Sequence, residues 1–203
     1  MQKRQSEKSI WLSESERDDL EMEATSNRDR LIIQFGSLCG LRISEIRTLR
    51  VRDLFEREID GKKRYFVRVG EEVTKTAQAK REVWVPKQVY QNAAIEAKNR
   101  ELGSDDYLLQ SRNGGSLSSA AARNVVKKLA QARYKDTGDE RWKYVSSHDM
   151  RRYHANRLIN ELDADINIVL YQMGWSSFQS ALPYLRRANP EDTAKEMIEI
   201  GLE

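Results

Sequence analysis

Residues 146–187 read SSHDMRRYHANRLINELDADINIVLYQMGWSSFQSALPYLRR, and the order of side chains in this stretch governs how the rest of the chain is read. His148 and Arg151 stand three apart, so on a helix they share one face. Both donate hydrogen bonds, and arginine does so through a planar fork that suits phosphate oxygens. A Gly174-Trp175 pair follows, then Tyr184 ahead of Arg186-Arg187. A phosphate held by His148 and Arg151 would have a tyrosine hydroxyl brought to it from a later segment. That arrangement suits attack on a phosphodiester, provided that further cations come from upstream.

Upstream cations exist. Arg42, Arg47, Arg50 and Arg52 crowd one region, whereas acidic residues gather at Glu14–Glu23 and Glu191–Glu199. The net charge of +3 says little alone. The distribution is what fits a phosphate backbone on one side, with an ordinary solvated surface as the alternative. With 203 residues, 39% hydrophobic and 33% charged, the chain suits one globular domain with a heavily ionised surface. No apolar run has the length of a membrane span, and none reads as a signal-peptide core. Cys39 is the only cysteine, so no intrachain disulfide forms, which fits an intracellular, reducing compartment. The two histidines, His148 and His154, belong to no cluster with metal-ligand spacing, so neither a metal nor another cofactor is expected. His154 falls six residues after His148 and reads as a packed side chain.

The pattern along the chain predicts a mainly α-helical domain with a small three-stranded antiparallel sheet, an α+β fold. Residues 1–12 are polar and read as a tail or linker remnant. Ser13 and Glu16 form a capping box that opens a short acidic helix. Asn27 is a candidate cap for a helix carrying Leu31, Ile32, Phe35, Leu38 and Cys39, closed by Gly40. Ser44 is a candidate cap for the next helix, through Ile46 and Leu49, which leaves Arg42 at the junction. Taken alone, Arg42 reads as a surface arginine paired with Glu45.

From Arg52 to Pro86 the period changes to two. Asp60-Gly61 marks a hairpin between Leu54–Ile59 and Arg64–Val69, and Arg81–Val85 supplies a third strand. Lys75 lies on the intervening loop, where a lysine is ordinarily solvated. Pro86 suits the first position of a helix to about Glu101, and Ser116 or Ser118 caps another through Tyr134. Lys135–Lys143 reads as a polar loop. Helices then start near Ser147, at Ile166 and after Ser176, and a last one spans residues 191–200. Tyr153 and Tyr171 sit on strongly periodic helices and read as core residues.

Together these positions resemble the catalytic domain of the tyrosine recombinases, the phage integrase family, from about Leu12 to Ala188. Gly40-Leu41-Arg42-Ile43-Ser44-Glu45 looks like the first arginine box, with Arg42 as a phosphate-binding arginine. Thr74-Lys75-Thr76, then Lys80-Arg81-Glu82-Val83-Trp84-Val85-Pro86, resembles the sheet lysine and the strand after it. Ser147-His148-Asp149-Met150-Arg151 resembles the His-x-x-Arg box. Met173-Gly174-Trp175-Ser176-Ser177 carries tryptophan where most members have histidine, and Ser180–Leu185 resembles the nucleophile segment. Each box alone is weak; five in order are not. Arg152 departs from the pattern, standing where histidine commonly follows the second arginine. Pro183 departs too, and biases Leu182 away from helical geometry, toward a kinked or short helix under Tyr184. The family usually carries a further N-terminal helical domain, so the chain is expected to be a catalytic-domain fragment or a minimal relative. Residues 13–188 would form the catalytic domain and residues 189–203 a C-terminal helix able to dock on a neighbouring protomer.

The resemblance implies a site-specific recombinase or integrase that cuts and rejoins DNA through a 3′-phosphotyrosine. Arg42, His148, Arg151 and Trp175 would bind the phosphate, Lys75 would protonate the leaving oxygen, and Tyr184 would attack. The implied partners are double-stranded DNA, further copies forming a tetramer on that DNA, and accessory DNA-bending proteins. A monomer in free solution is compatible with this, and no membrane is involved. Two other readings share the residues: a type IB topoisomerase-like relaxase, and a DNA-binding regulator that no longer cuts.

Overall fold

A computed structural model of the chain describes residues 9–70 and 80–185, together with Ala194, Met197, Ile198 and Gly201. Lys75, Arg186 and Arg187 lie outside the described residues, as does most of the C-terminal helix expected from residue 191. The elements are α1 (Glu14–Met22), α2 (Asn27–Leu38), a single turn α3 (Ile43–Ile46), β1 (Leu54–Ile59), β2 (Lys62–Val69), β3 (Arg81–Val85), α4 (Lys87–Asn99), α5 (Ser119–Thr137), α6 (Ser147–Asn156) and α7 (Ile166–Met173). The expected fold class, helices with one small antiparallel sheet, is what forms.

The core is built around α2. Its Leu31, Ile32, Ile33 and Phe35 are all at most 1% exposed, and α6, α4, α1, α3 and α5 pack around it. Each such side chain contributes about 1.5–3 kcal/mol by leaving water. Packing begins before the Ser13 cap, since Ile10 and Leu12 are buried in the same core, so the polar tail ends sooner than its composition suggests. The cap itself forms as expected: Ser13 N–H donates to Glu16 Oε2 (2.8 Å) and Glu16 N–H to Ser13 Oγ (3.2 Å).

The sheet runs β1-β2-β3 with both pairs antiparallel. Asp60 (φ 52°) and Gly61 (φ 67°) are both left-handed, the geometry that a two-residue hairpin loop needs. The register sets Val67 opposite Val83 and Tyr65 opposite Val85, so Val67, Val69, Val83 and Val85 face the core. That alternation also turns Arg81 inward. Gln172 of α7 ties helix to sheet by copying a strand's pairing: it accepts from Trp84 N–H (3.1 Å) and donates to Trp84 C=O (3.0 Å).

Several local expectations need correction. The cap of α2 is Ser26, whose Oγ accepts from Asp29 N–H at 3.1 Å, and Asn27 is already helical. The turn α3 starts at Ile43 after Arg42, and the Glu45 carboxylate, not Ser44, takes the free Arg42 N–H (2.7 Å). Pro86 precedes α4 as its cap position. The segment 135–143 is no loop: α5 runs to Thr137, and a 3₁₀ turn at Glu140–Tyr144 buries Trp142. Tyr153 is buried as expected, but Tyr171 is 60% exposed.

Candidate active site

Two arginines form the floor of the site, and main-chain oxygens hold both. Arg151, on α6, is 2% exposed and donates to the carbonyls of Gly40 and Met173. Arg42, in the junction before α3, donates to Glu45 Oε1 (3.1 Å) and to the carbonyl of Gly174 (3.3 Å). The chain from Met173 to Trp175 thus bridges residues separated by more than a hundred positions. Two glycines make this geometry possible. Gly40 has φ +68°, and a Cβ there would lie 2.6 Å from the His154 ring and 2.7 Å from Met173 Sδ. Gly174 has φ +57°, and its Cβ would strike the Arg81 guanidinium at 2.6–2.7 Å. In both places the backbone is left-handed and the approach too close for any side chain.

Beneath Arg42 lies an ion cluster that the sequence showed only in part. Glu45 is 4% exposed and takes, besides Arg42, a forked pair from Arg81 at 2.9 and 3.2 Å. Burial pushes the Glu45 pKa up, but the hydrogen bonds and charges of Arg81 and Arg42 outweigh it and hold the carboxyl below its ordinary value. The expected Arg42–Glu45 pair therefore exists, as part of the site. Arg81 was missed, although a charged residue in register with inward-facing Val83 and Val85 is a signal for a buried partner.

Burial, and then the Arg42 charge, push Arg151 down to about 9, so at neutral pH it stays a cation. Its guanidinium carbon lies 5.7 Å from the centre of the Trp175 ring. His148 sits in the first turn of α6 with its side chain open to solvent. Partial desolvation, then the charges of Arg152 and Arg151, hold its pKa below 6.5, which leaves the imidazole neutral and able to accept a proton at pH 7. His154, by contrast, is 6% exposed beneath Gly40, and burial drives it to about 4. It is a packed residue, as its position suggested.

Tyr184 reaches this floor from the last described turn. Leu182–Tyr184 is a 3₁₀ turn with Pro183 inside it, the short element that the proline predicted. The Tyr184 ring lies against Trp175 (centroids 5.4 Å apart) and meets Trp11 edge-on (5.6 Å). Asn160 fixes the turn by donating to the Tyr184 carbonyl at 3.0 Å. Burial pushes the phenol's pKa up, against the charges of Arg152 and Arg151, which pull it down. Trp11 falls within the tail expected at residues 1–12, and nothing in its sequence setting marks it as a neighbour of Tyr184.

The structure therefore brings Arg42, Arg151, Trp175 and Tyr184 together, with His148 within electrostatic reach. Lys75 lies outside the described residues; the strands on either side of its segment end at Val69 and begin at Arg81. Among the described residues no helix is long and apolar enough to cross a membrane.

Residues 11–191 match the model of the phage integrase family. Three solved structures are similar. The Tn1549 transposon integrase in complex with transposon right end DNA is 19% identical, with a TM-score of 0.74 over 96% of this chain and 67% of that one. The XerA recombinase is 19% identical, with a TM-score of 0.68 over 98% and 66%. The XerH site-specific recombinase bound to difH substrate is 18% identical, with a TM-score of 0.71 over 93% and 54%. This chain thus spans about two thirds or less of the length of those structures, and at such identity the likeness speaks for the fold. No curated protein sequence matches it. The family match over most of the chain carries the assignment further: the chain belongs to the phage integrase family.

Proposed function

We propose that this chain binds double-stranded DNA over the face bearing Arg42, His148, Arg151 and Trp175, and cuts and rejoins a strand through Tyr184. The observation that supports this most is the bridge from Met173 to Trp175, which ties Arg42 and Arg151 together and carries the ring on which Tyr184 rests.

The chemistry follows from charge. Attack on a phosphodiester raises negative charge on its two non-bridging oxygens, and fixed donors aimed there lower the barrier. Arg42 and Arg151 supply permanent cations, and the Trp175 indole adds an N–H that can only donate. The Tyr184 hydroxyl yields its proton to neutral His148 or to water as its oxygen bonds phosphorus. The P–O5′ bond breaks, and Lys75 gives the departing oxygen a proton. The phosphotyrosine at the 3′ end keeps the ester bond, so the reverse attack by a 5′ hydroxyl reseals a strand with no outside energy source.

Strand exchange would join four protomers on paired DNA duplexes, with residues 189–203 docking on a neighbour and DNA-bending proteins assisting. The presence of Arg42 and Arg151 in one site with Tyr184 favours a cutting enzyme over a regulator that only binds.

A nicked suicide duplex, which loses its 5′ fragment after cleavage, tests the reading. Wild-type protein is expected to accumulate a covalent 3′ adduct, and Tyr184→Phe to bind the same DNA and form none. Equal adduct in both would place the nucleophile elsewhere.

A further inference from the structure

Arg152 is a cation of the site for which the scheme above has no task. It follows Arg151 on α6, and only 16% of its side chain is exposed. Its guanidinium is anchored on the Asp149 carboxylate and lies 5.8 Å from the centre of the Trp11 ring. Trp11 in turn meets the Tyr184 ring, and the Arg152 charge favours the ionised phenol more than any other nearby charge. The anchor is itself immobilised. Asp149 is 1% exposed; one oxygen accepts from Ile10 N–H (3.1 Å) as well as from Arg152, and the other accepts from Ser146 N–H and Oγ (2.8 Å each). A carboxylate committed to four donors cannot follow a moving side chain, so the guanidinium it holds is fixed too.

We propose that Arg152 is a positioning residue for the nucleophile: braced by Asp149 and Trp11, it holds the Tyr184 hydroxyl toward the phosphate site and steadies the negative oxygen as the proton leaves. This rests on Tyr184 being the nucleophile. Arg151 is poorly placed for the task, since two of its donors are already given to the Gly40 and Met173 carbonyls. An arginine cannot take the proton, so Arg152 acts only as donor and charge. The proton passes to His148 or water, and the electron pair stays on the tyrosine oxygen to form the bond to phosphorus. Among the described residues the charges facing the phenol are Arg152 and Arg151, which favour the phenolate, and Asp149, which opposes it; all three come from α6. Trp11 and Trp175 add none, and neutral Asn160 meets only the carbonyl.

The test is single-turnover adduct formation on the nicked duplex, from about pH 6 to about pH 10, the ordinary phenol value. Arg152→Gln is expected to slow cleavage roughly 10²-fold near pH 7. The rising limb of its pH profile should move to higher pH, so that the gap closes as alkali ionises the phenol. Arg152→Lys should recover most of the rate, and DNA affinity and melting temperature should stay near wild type. Should the glutamine variant unfold, Arg152→Met, which keeps an apolar stem over Trp11, replaces it. An unchanged rate and limb overturn the proposal, as does a loss that is equal at every pH and not recovered by lysine. A wild-type protein that forms no adduct overturns the reading of Tyr184 and this inference with it, whereas failure confined to the Arg152 comparison leaves that reading standing.

Discussion

The arginine floor and the tyrosine turn face each other across the site, yet they are built differently. Arg151 is sealed under two main-chain carbonyls, and Arg42 and Arg81 share one buried carboxylate. Tyr184 stands on a 3₁₀ turn held by two ring contacts and one amide from Asn160. The part that must meet a charge that is already present is fixed before substrate arrives. The part that, on the proposed mechanism, would form and later break a covalent bond is held by contacts that are individually weak. Electrostatic catalysis needs the first property, because dipoles that reorient during the reaction return much of what they give.

Three measurements can break or sharpen that contrast. The largest effect is expected from Glu45→Ala, which leaves the Arg42 and Arg81 cations facing each other without a counter-charge. Removing one partner of a buried ion cluster costs about 3–5 kcal/mol, readable as a shift in urea midpoint, and adduct formation should fall with it. A loss below about 1 kcal/mol, the range of an exposed pair, would mean that the floor is not sealed.

Next is a pH dependence from His154, which packs beneath that floor. Its folded value of about 4 lies below the ordinary 6.5, so between those values the unfolded chain binds a proton that the folded one refuses. The associated stability is fully present above pH 6.5, is lost as pH falls toward 4, and changes no further below. At 1.36 kcal/mol per unit this amounts to about 3 kcal/mol. Urea titrations across that window should show the slope, and a His154→Gln variant should flatten it. A slope that persists in the variant would assign it to other groups.

The smallest effect is expected on the tyrosine side. Asn160→Ala removes one hydrogen bond to the turn and should cost about 1 kcal/mol or less in stability. Adduct formation should slow by more than that loss accounts for, because the turn that presents Tyr184 is released. Equal, large losses in both would show a turn as firmly built in as the floor.

Much of this was readable from residue patterns, for reasons that are themselves local. Strands β1 to β3 announced themselves through alternation and the Asp60-Gly61 turn, and the Ser13–Glu16 box through spacing. Local signals failed where neighbours compete or periodicity is degenerate. Ser26 and Asn27 are both good caps, and only the fold decides between them. Helix α7 is apolar nearly all round, from Ile166 to Met173, so its period could not say that Tyr171 faces outward. The charged surface of residues 135–143 hid the one residue there that packs, Trp142. At the site, the candidate side chains Arg42, His148, Arg151, Trp175 and Tyr184 were legible because their chemistry is unusual. Arg81, Trp11 and the role of Arg152 were not, since each acquires meaning only through a partner far away in the chain.

The carbonyls that hold Arg42 and Arg151 have one further consequence. An oxygen of the peptide unit carries no side-chain identity, so substitution at Met173 by an apolar residue of similar volume leaves its grip on Arg151 intact. Only at Gly40 and Gly174, where a methyl group would force the peptide plane to turn, does a change of residue reach the oxygen itself. Anyone retuning this enzyme therefore has wide latitude in the decoration around the arginines, and almost none at two positions that carry no side chain at all.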